Sequence, residues 1–295
     1  VNAPAPAAAA APMIDRCPVG CDAPLETTAM VLPEGALRRC AECGQLVSAC
    51  GESAYVAALT KWDTTHGTRP DERSVARHGQ VSRRRVKSML GLLGRPAAGT
   101  RLLDVGCSSG AFLAAAAAEG LTVAGVEPSP EAAESARRAG FQVFTGLLAD
   151  AGHADASFDL VTLVEVLEHL ADPGALLREC RRILSPGGIA LVTTPNAESW
   201  TARALGGDWE VFSLTGMGGH VSFFNPGSLA LLAARCGFDA VKVETRHVRL
   251  AEKGRVAAPL LKLAKLAAGL MDAPARLAGR GHDLSAYLRR RDGSG

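Results

Sequence analysis

Between Thr100 and Thr194 short apolar runs alternate with stretches whose apolar positions recur at helical spacing. That alternation predicts a parallel sheet covered by helices, an α/β fold. RLLDVG (101–106) reads as a strand, and the Ala-rich stretch 111–119 as a helix stopped by Gly120 in the left-handed position a helix end favours. LTVAGV (121–126) is the next strand, followed by a helix from about Pro130 to Gly140. FQVFT (141–145) and FDLVTLV (158–164) add two strands. A helix from Pro173 to Leu184 ends at the Pro186-Gly187-Gly188 turn, and IALVTT (189–194) follows as a fifth strand.

The pattern then changes. Residues 195–225 hold Gly206, Gly207, Gly216, Gly218, Gly219 and two tryptophans without a clean period, which reads as a substrate-side loop region. A helix over 226–236, closed by Gly237, leads to a strand near 240–247, and a last strand is expected at about 283–288. Residues 255–279 are rich in Leu and Ala and carry Lys262, Lys265 and Arg276. They predict a basic amphipathic helix that either packs on the domain as part of a substrate-side segment (250–280) or makes a peripheral membrane contact.

Ahead of the α/β region the composition divides the chain further. Residues 1–13 are almost wholly Ala and Pro and read as a disordered tail, 14–52 hold two close cysteine pairs, and 53–99 read as a helical linker with helices that cover the cofactor. The domain proper runs from 100 to 295. The formal net charge of +2 gives no electrostatic reason to expect nucleic acid, and few aromatics are available for base stacking. The tail has no basic region followed by a long apolar run, and no uncharged apolar stretch is long enough to span a bilayer, so the expected compartment is the cytoplasm. In a reducing compartment eight cysteines are ligands or buried thiols rather than disulfides, and Cys180 and Cys236 fall in helical stretches as packing residues.

Candidate chemistry begins at Asp104-Val105-Gly106-Cys107-Ser108-Ser109-Gly110, where a strand turns into a helix. Two glycines four apart let backbone approach a ligand closely, but this is not the G-x-G-x-x-G turn that serves a pyrophosphate. Glu127, about twenty residues on at the end of the second strand, stands where a carboxylate can accept hydrogen bonds from both ribose hydroxyls. In LLDVGCSSGAFL, GVEPS, FDLVTLVEVLEHLADP and RRILSPGGIALVTTPN, taken in that order, the chain resembles the class I S-adenosylmethionine-dependent methyltransferases over about residues 85–247.

The resemblance implies a Rossmann-like sheet of seven mostly parallel strands with helices on both faces, and S-adenosylmethionine lying across the strands' carboxyl ends. By the same resemblance Asp104, Gly106, Cys107 and Gly110 belong to the cofactor turn, the last three facing the methionine part. Glu127 takes the ribose, Pro128 and Leu147 the adenine, and Val164 the methionine amino group through its backbone. Arg85 is the candidate for the cofactor carboxylate, with Arg83 and Arg84 as neighbours that leave the choice open.

Methyl transfer from a sulfonium needs alignment and proton management more than a dedicated nucleophile in the protein. Glu165, Glu168 and His169 follow the fourth strand directly, and in a helical turn they would share one face. This E-x-x-E-H string resembles the metal-binding element of ubiquinone-pathway O-methyltransferases and small-RNA methyltransferases, and His220 is the candidate fourth ligand. Three readings stay open: a catalytic Mg²⁺ or other divalent cation, a metal-free base at His169 or His220, and a structural role.

Cys17-Pro18-Val19-Gly20-Cys21 and Cys40-Ala41-Glu42-Cys43-Gly44 can bring four thiolates around a zinc ion. The module resembles the zinc ribbon that precedes some bacterial methyltransferase domains, although the first pair has three intervening residues instead of the commoner two. The function expected from all this is O-methylation of a small-molecule or carbohydrate acceptor. The competing classes are an inactive scaffold with the same fold and an RNA-modifying enzyme.

Overall fold

The computed structural model describes residues 11–66, 72–252 and 254–292; the first ten residues of the Ala/Pro tail lie outside them. In chain order come strands β1 (Leu25–Leu32), β2 (Gly35–Cys40) and β3 (Leu46–Val47), then helices α1 (Glu52–His66) and α2 (Glu72–Leu93). The α/β part follows as β4 (Arg101–Val105), α3 (Ala111–Ala118), β5 (Thr122–Glu127), α4 (Pro130–Arg138), β6 (Gln142–Thr145), β7 (Phe158–Val164), α5 (Pro173–Ile183) and β8 (Leu184–Pro195). The chain continues through α6 (Trp200–Leu205), β9 (Ser222–Phe223), α7 (Pro226–Arg235), β10 (Phe238–Arg246), α8 (Ala258–Leu277) and β11 (Asp283–Arg290).

Among the described residues seven strands form the main sheet in the order β10-β11-β8-β7-β4-β5-β6. β11 runs antiparallel to both of its neighbours, and the pairings from β8 to β6 are parallel. The order reverses between β4 and β7, and that switch point is where doubly wound sheets open a crevice at their carboxyl ends.

Alternation along the strands explains the two layers. Leu103, Val161, Ala190 and Ala286 face one core with Leu177 and Cys180 of α5 and Leu229 and Leu232 of α7. Leu102, Leu160, Ile189, Leu191 and Tyr287 face the other, with Val86 and Met89 of α2 and Leu113 and Ala116 of α3. Helix starts are set by caps: Asp172 Oδ1 accepts from Ala175 N–H at 2.9 Å, and Asn225 and Ser228 close a reciprocal capping box. At the opposite edge from the crevice, Asp159 accepts from Arg101 N–H at 3.0 Å and from Ser185 Oγ at 3.1 Å. Those bonds fasten the starts of β4, β7 and β8 together.

Three features depart from the sequence expectation. β8 begins at Leu184, paired with Phe158, and takes the Pro186-Gly187-Gly188 turn as an irregularity inside the strand instead of starting after it. Residues 195–225 are a packed layer, not an open loop, because Trp209 and Phe212 stack edge to face at 4.9 Å and bury with Leu32, Leu37 and Phe223. The N-terminal strands are also not a separate unit. β3 pairs with β9, giving a small sheet β1-β2-β3-β9, and Cys17, Cys21 and Cys40 share the core of Phe224, Leu229 and Leu232.

Helix α8 sits in the connection between β10 and β11, and β11 opens with Asp283 opposite Pro195, at the carboxyl edge of the sheet. Its small residues Ala268 and Ala275 pack inward against Val248, Trp200 and Met271. No described helix is long and apolar enough to cross a membrane.

Candidate functional site

The turn from β4 into α3 lies at the crevice and is tightly packed. Gly106 and Gly110 adopt φ of +74° and +87°, and Ser108 between them is left-handed at +47° although it carries a side chain. A Cβ on Gly106 would lie 2.8 Å from Val166 Cγ2, and one on Gly110 would lie 2.9 Å from Phe141 Cδ2. The glycines are therefore required by the protein's own close packing, whatever ligand the turn meets.

Glu127 locks the turn from the next strand. Its Oε2 accepts from Ser108 N–H at 2.8 Å and its Oε1 from Ser129 N–H at 2.9 Å, both charge-assisted. Gly146 N–H donates to Glu127 O at 3.0 Å, which brings Leu147 alongside. Leu147 and Pro128 are both exposed, so an apolar surface is left open on either side of a nearly buried carboxylate. That combination suits a nucleoside: hydroxyls for the carboxylate and a flat base for the apolar faces.

The other cofactor candidates divide. Asp104 is buried between β4 and β7, where Thr162 Oγ1 donates to its Oδ1 at 2.6 Å. Burial pushes its carboxyl up to about 7, with the nearby Glu127 charge adding and the Thr162 bond opposing. The Cys107 thiol is turned into the domain against Gly125, where a Cβ would lie 2.5 Å from Sγ. Only the backbone of Cys107 stays at the turn, and burial raises its thiol far above the ordinary range. Val164 is half-buried at the end of β7. Arg85 is half-buried on α2 while Arg83 and Arg84 are exposed, and its positive charge acts on Glu165.

At the end of β7 the expected helical turn does not form. Glu165 takes a left-handed φ of +55°, and the only regular piece is a 3-10 turn over Leu167–His169. The strained backbone sends Glu165 toward β8, where Thr193 Oγ1 donates to its Oε1 at 3.0 Å. Solvent reaches Glu165 although protein surrounds it; burial and then the Asp283 charge raise its pKa, while the neighbouring Glu168 carboxyl, Thr193 and Arg85 oppose.

Glu168, His169 and His220 do come together, with one ligand atom of each within 4.8 Å of the others. His169 Nδ1 lies 2.8 Å from Gly218 O and His220 Nδ1 lies 3.1 Å from Val211 O. A carbonyl can only accept, so each Nδ1 carries the proton and each Nε2 keeps its lone pair. Burial lowers both imidazoles, His220 to about 3 with His169 adding to the effect, so both are neutral at physiological pH. Glu168 is buried, and its carboxyl group faces the side chains of Glu165 and Thr194 without the geometry of a full hydrogen bond. Burial and the Glu165 charge hold its pKa well above the carboxylate range. Two imidazoles oriented by backbone carbonyls beside a buried carboxyl group form a donor set that fits a divalent cation, whose charge would take the place of the carboxyl proton.

The sequence offers no signal for the parts that hold this set. Tyr55 of α1 donates its hydroxyl to His169 O at 2.7 Å, and Val221 N–H donates to Glu168 O at 2.8 Å. Thr162 and Thr193, which fix Asp104 and Glu165, read in the sequence only as strand residues.

Cys17, Cys21, Cys40 and Cys43 form the second cluster, again with ligand atoms within 4.8 Å of one another and Cys17 Sγ 3.6 Å from Cys43 Sγ. Gly20 N–H donates to Cys17 O at 2.9 Å and Gly44 N–H to Cys40 O at 3.0 Å, so each pair closes a knuckle. Gly20, at φ +88°, absorbs the extra residue of the first pair. Burial raises Cys21 to about 11 and Cys43 further, whereas at Cys40 burial is outweighed by backbone donors at Cys43 and Glu42, which lower its thiol. Arg235 of α7 reaches in, donating to Val19 O at 3.0 Å and Cys21 Sγ at 3.5 Å.

Sheet order, the glycine turn and the acid at the end of β5 together have the form of a class I S-adenosylmethionine methyltransferase. The chain belongs to the methyltransferase-domain family, whose model matches residues 76–243. It is 34% identical over 155 residues to a ubiquinone biosynthesis O-methyltransferase of Thiobacillus denitrificans, covering 49% of this chain and 66% of that protein. A protein of the same description from Aromatoleum aromaticum is 31% identical, with 50% and 67% covered. The chain thus spans about two thirds of the length of these curated relatives. An S-adenosylmethionine-dependent methyltransferase structure from Thermotoga maritima shares the fold at a TM-score of 0.52 and 21% identity, covering 79% of this chain and all of that one.

Proposed function

We propose that the chain is an S-adenosylmethionine-dependent O-methyltransferase acting on a small-molecule or carbohydrate hydroxyl, with Glu168, His169 and His220 holding a divalent cation at the acceptor position. The observation that carries this reading is the convergence of buried Glu168 with two imidazoles oriented by backbone carbonyls, one ligand atom of each lying within 4.8 Å of the others. A metal-free base at His169 has no need of that carboxyl group, whereas a cation would use it as a ligand. The curated relatives, named O-methyltransferases, support the oxygen acceptor.

In this reading the glycine turn and Glu127 hold the nucleoside end, with Leu147 and Pro128 against the base. Arg85 and the end of β7 set the methionine end beside Glu165. A cation at the Glu168 set would lower the pKa of the acceptor hydroxyl it binds. The chain's own contribution is alignment: Tyr55, Gly218 and Val211 hold the two histidines, and the packed 195–225 layer excludes water around them. The cysteine cluster would hold zinc as a structural ion that ties the 17–21 segment to the end of β2, against α7.

The test is methyl transfer to hydroxylated acceptors after chelation, with elemental analysis showing that the cysteine site is still loaded. Activity should vanish and return with Mg²⁺ or Mn²⁺, and His220→Ala should need more of either ion. Full activity in verified metal-free catalytic sites would refute the cation reading.

A further inference from the structure

Helix α8 carries an apolar face that the domain does not use. Leu260, Leu263, Leu266, Leu270 and Leu277 are 59%, 63%, 67%, 77% and 85% exposed, although the opposite side of the helix is packed against the domain. Spacings of three, four and seven residues put these leucines on one continuous stripe. A single exposed leucine is ordinary, but five in line along one helix are not.

Charge beside the stripe selects what covers it. Lys262, Lys265 and Arg276 lie together along one border of the stripe, and no acid engages them among the described residues. Asp272 is the sole acid between 255 and 278, and it is turned inward, accepting from Val248 N–H at 2.7 Å. A leucine stripe bordered by lysine and arginine, with no outward acid, complements a surface that is apolar within and anionic at its boundary. No described helix can span a bilayer, so α8 would lie along one.

We propose that α8 is an interfacial docking helix that seats the carboxyl edge of the sheet on an anionic phospholipid bilayer. The helix is inserted between β10 and β11 at that edge, so docking would turn the side bearing Glu165, Glu168 and His169 toward the membrane. The proposal stands apart from the methyl-transfer reading, and its test does not use activity.

The test is co-sedimentation of the full chain with vesicles of phosphatidylcholine alone and of phosphatidylcholine mixed with phosphatidylglycerol. The wild type should bind the mixed vesicles, weakly or not at all the neutral ones, and less as salt rises. Leu266→Glu with Leu270→Glu should abolish binding while leaving the melting temperature unchanged, since both side chains are exposed. Lys262→Ala with Lys265→Ala should weaken binding to the mixed vesicles by about fivefold per charge. Failure of the wild type to sediment with the mixed vesicles would overturn the proposal. So would a dimer in solution that the double leucine variant dissociates, because the stripe would then cover a second copy of the chain.

Discussion

Replacing Glu127 by Gln puts the cofactor reading under the most informative strain, because this carboxylate holds the protein's own turn as well as, in the proposed reading, the ligand. Its two oxygens accept from Ser108 and Ser129 N–H groups, and Gln can match only one of these; its amide NH₂ would face the other donor. The loss is one charge-assisted hydrogen bond in a nearly buried site plus an orphaned N–H, about 2 kcal/mol. For a domain of this size that lowers the melting temperature by roughly 4–8 °C. Ser108 sits in a strained left-handed conformation and loses its tether, so the turn at Gly106–Gly110 should loosen as well. Affinity for S-adenosylhomocysteine, measured by calorimetry, should then fall by tenfold or more, since about 1.4 kcal/mol is a factor of ten. Glu127→Ala, which loses both bonds, should be worse on both counts. If the Gln variant binds S-adenosylhomocysteine as tightly as the wild type and melts at the same temperature, the role assigned to Glu127 is wrong.

Replacing Cys40 and Cys43 by Ser should remove zinc, read by elemental analysis, and should lower the single melting transition of the whole chain, because the cluster shares its core with α7; a second transition with the main one unmoved would count against this. Asp104→Asn should become relatively more stable as pH rises. The folded state keeps a proton on Asp104 up to about pH 7 that the unfolded chain gives up near 4, so the wild type loses stability across that window, by up to about 4 kcal/mol, and the Asn variant does not. Denaturant melts at pH 5 and pH 8 measure the difference, and parallel behaviour of the two proteins would contradict it. Glu168→Gln should weaken Mn²⁺ binding at the Glu168, His169 and His220 cluster, followed by electron paramagnetic resonance, while raising thermal stability in metal-free buffer by removing a buried acid.

The α/β layers were legible because strand alternation and glycine or proline punctuation are local, and the strands from 101 to 194 needed little tertiary help to be recognised. What escaped the sequence is long-range. Nothing near Ser222-Phe223 says that it pairs with Leu46-Val47, and no period marks the stacking of Trp209 on Phe212. The candidate site shows the same division. Glu168, His169 and His220 could be picked out as ligand-type residues, but the shared helical face proposed for Glu165 depended on a regular turn that a left-handed residue at the strand end prevents. Asp104 and Cys107 sit in the right turn, yet strand pairing with Thr162 and packing on Gly125 take their side chains inward.

The most direct measurement is transfer of labelled methyl from S-adenosylmethionine by the purified chain, supplied separately with hydroxylated metabolites, glycans and RNA. The account predicts base-stable labelled product in the metabolite or glycan pool, and its loss in the Glu168→Gln variant. Label appearing in RNA alone, or in no pool with a folded protein that binds S-adenosylhomocysteine, would contradict it.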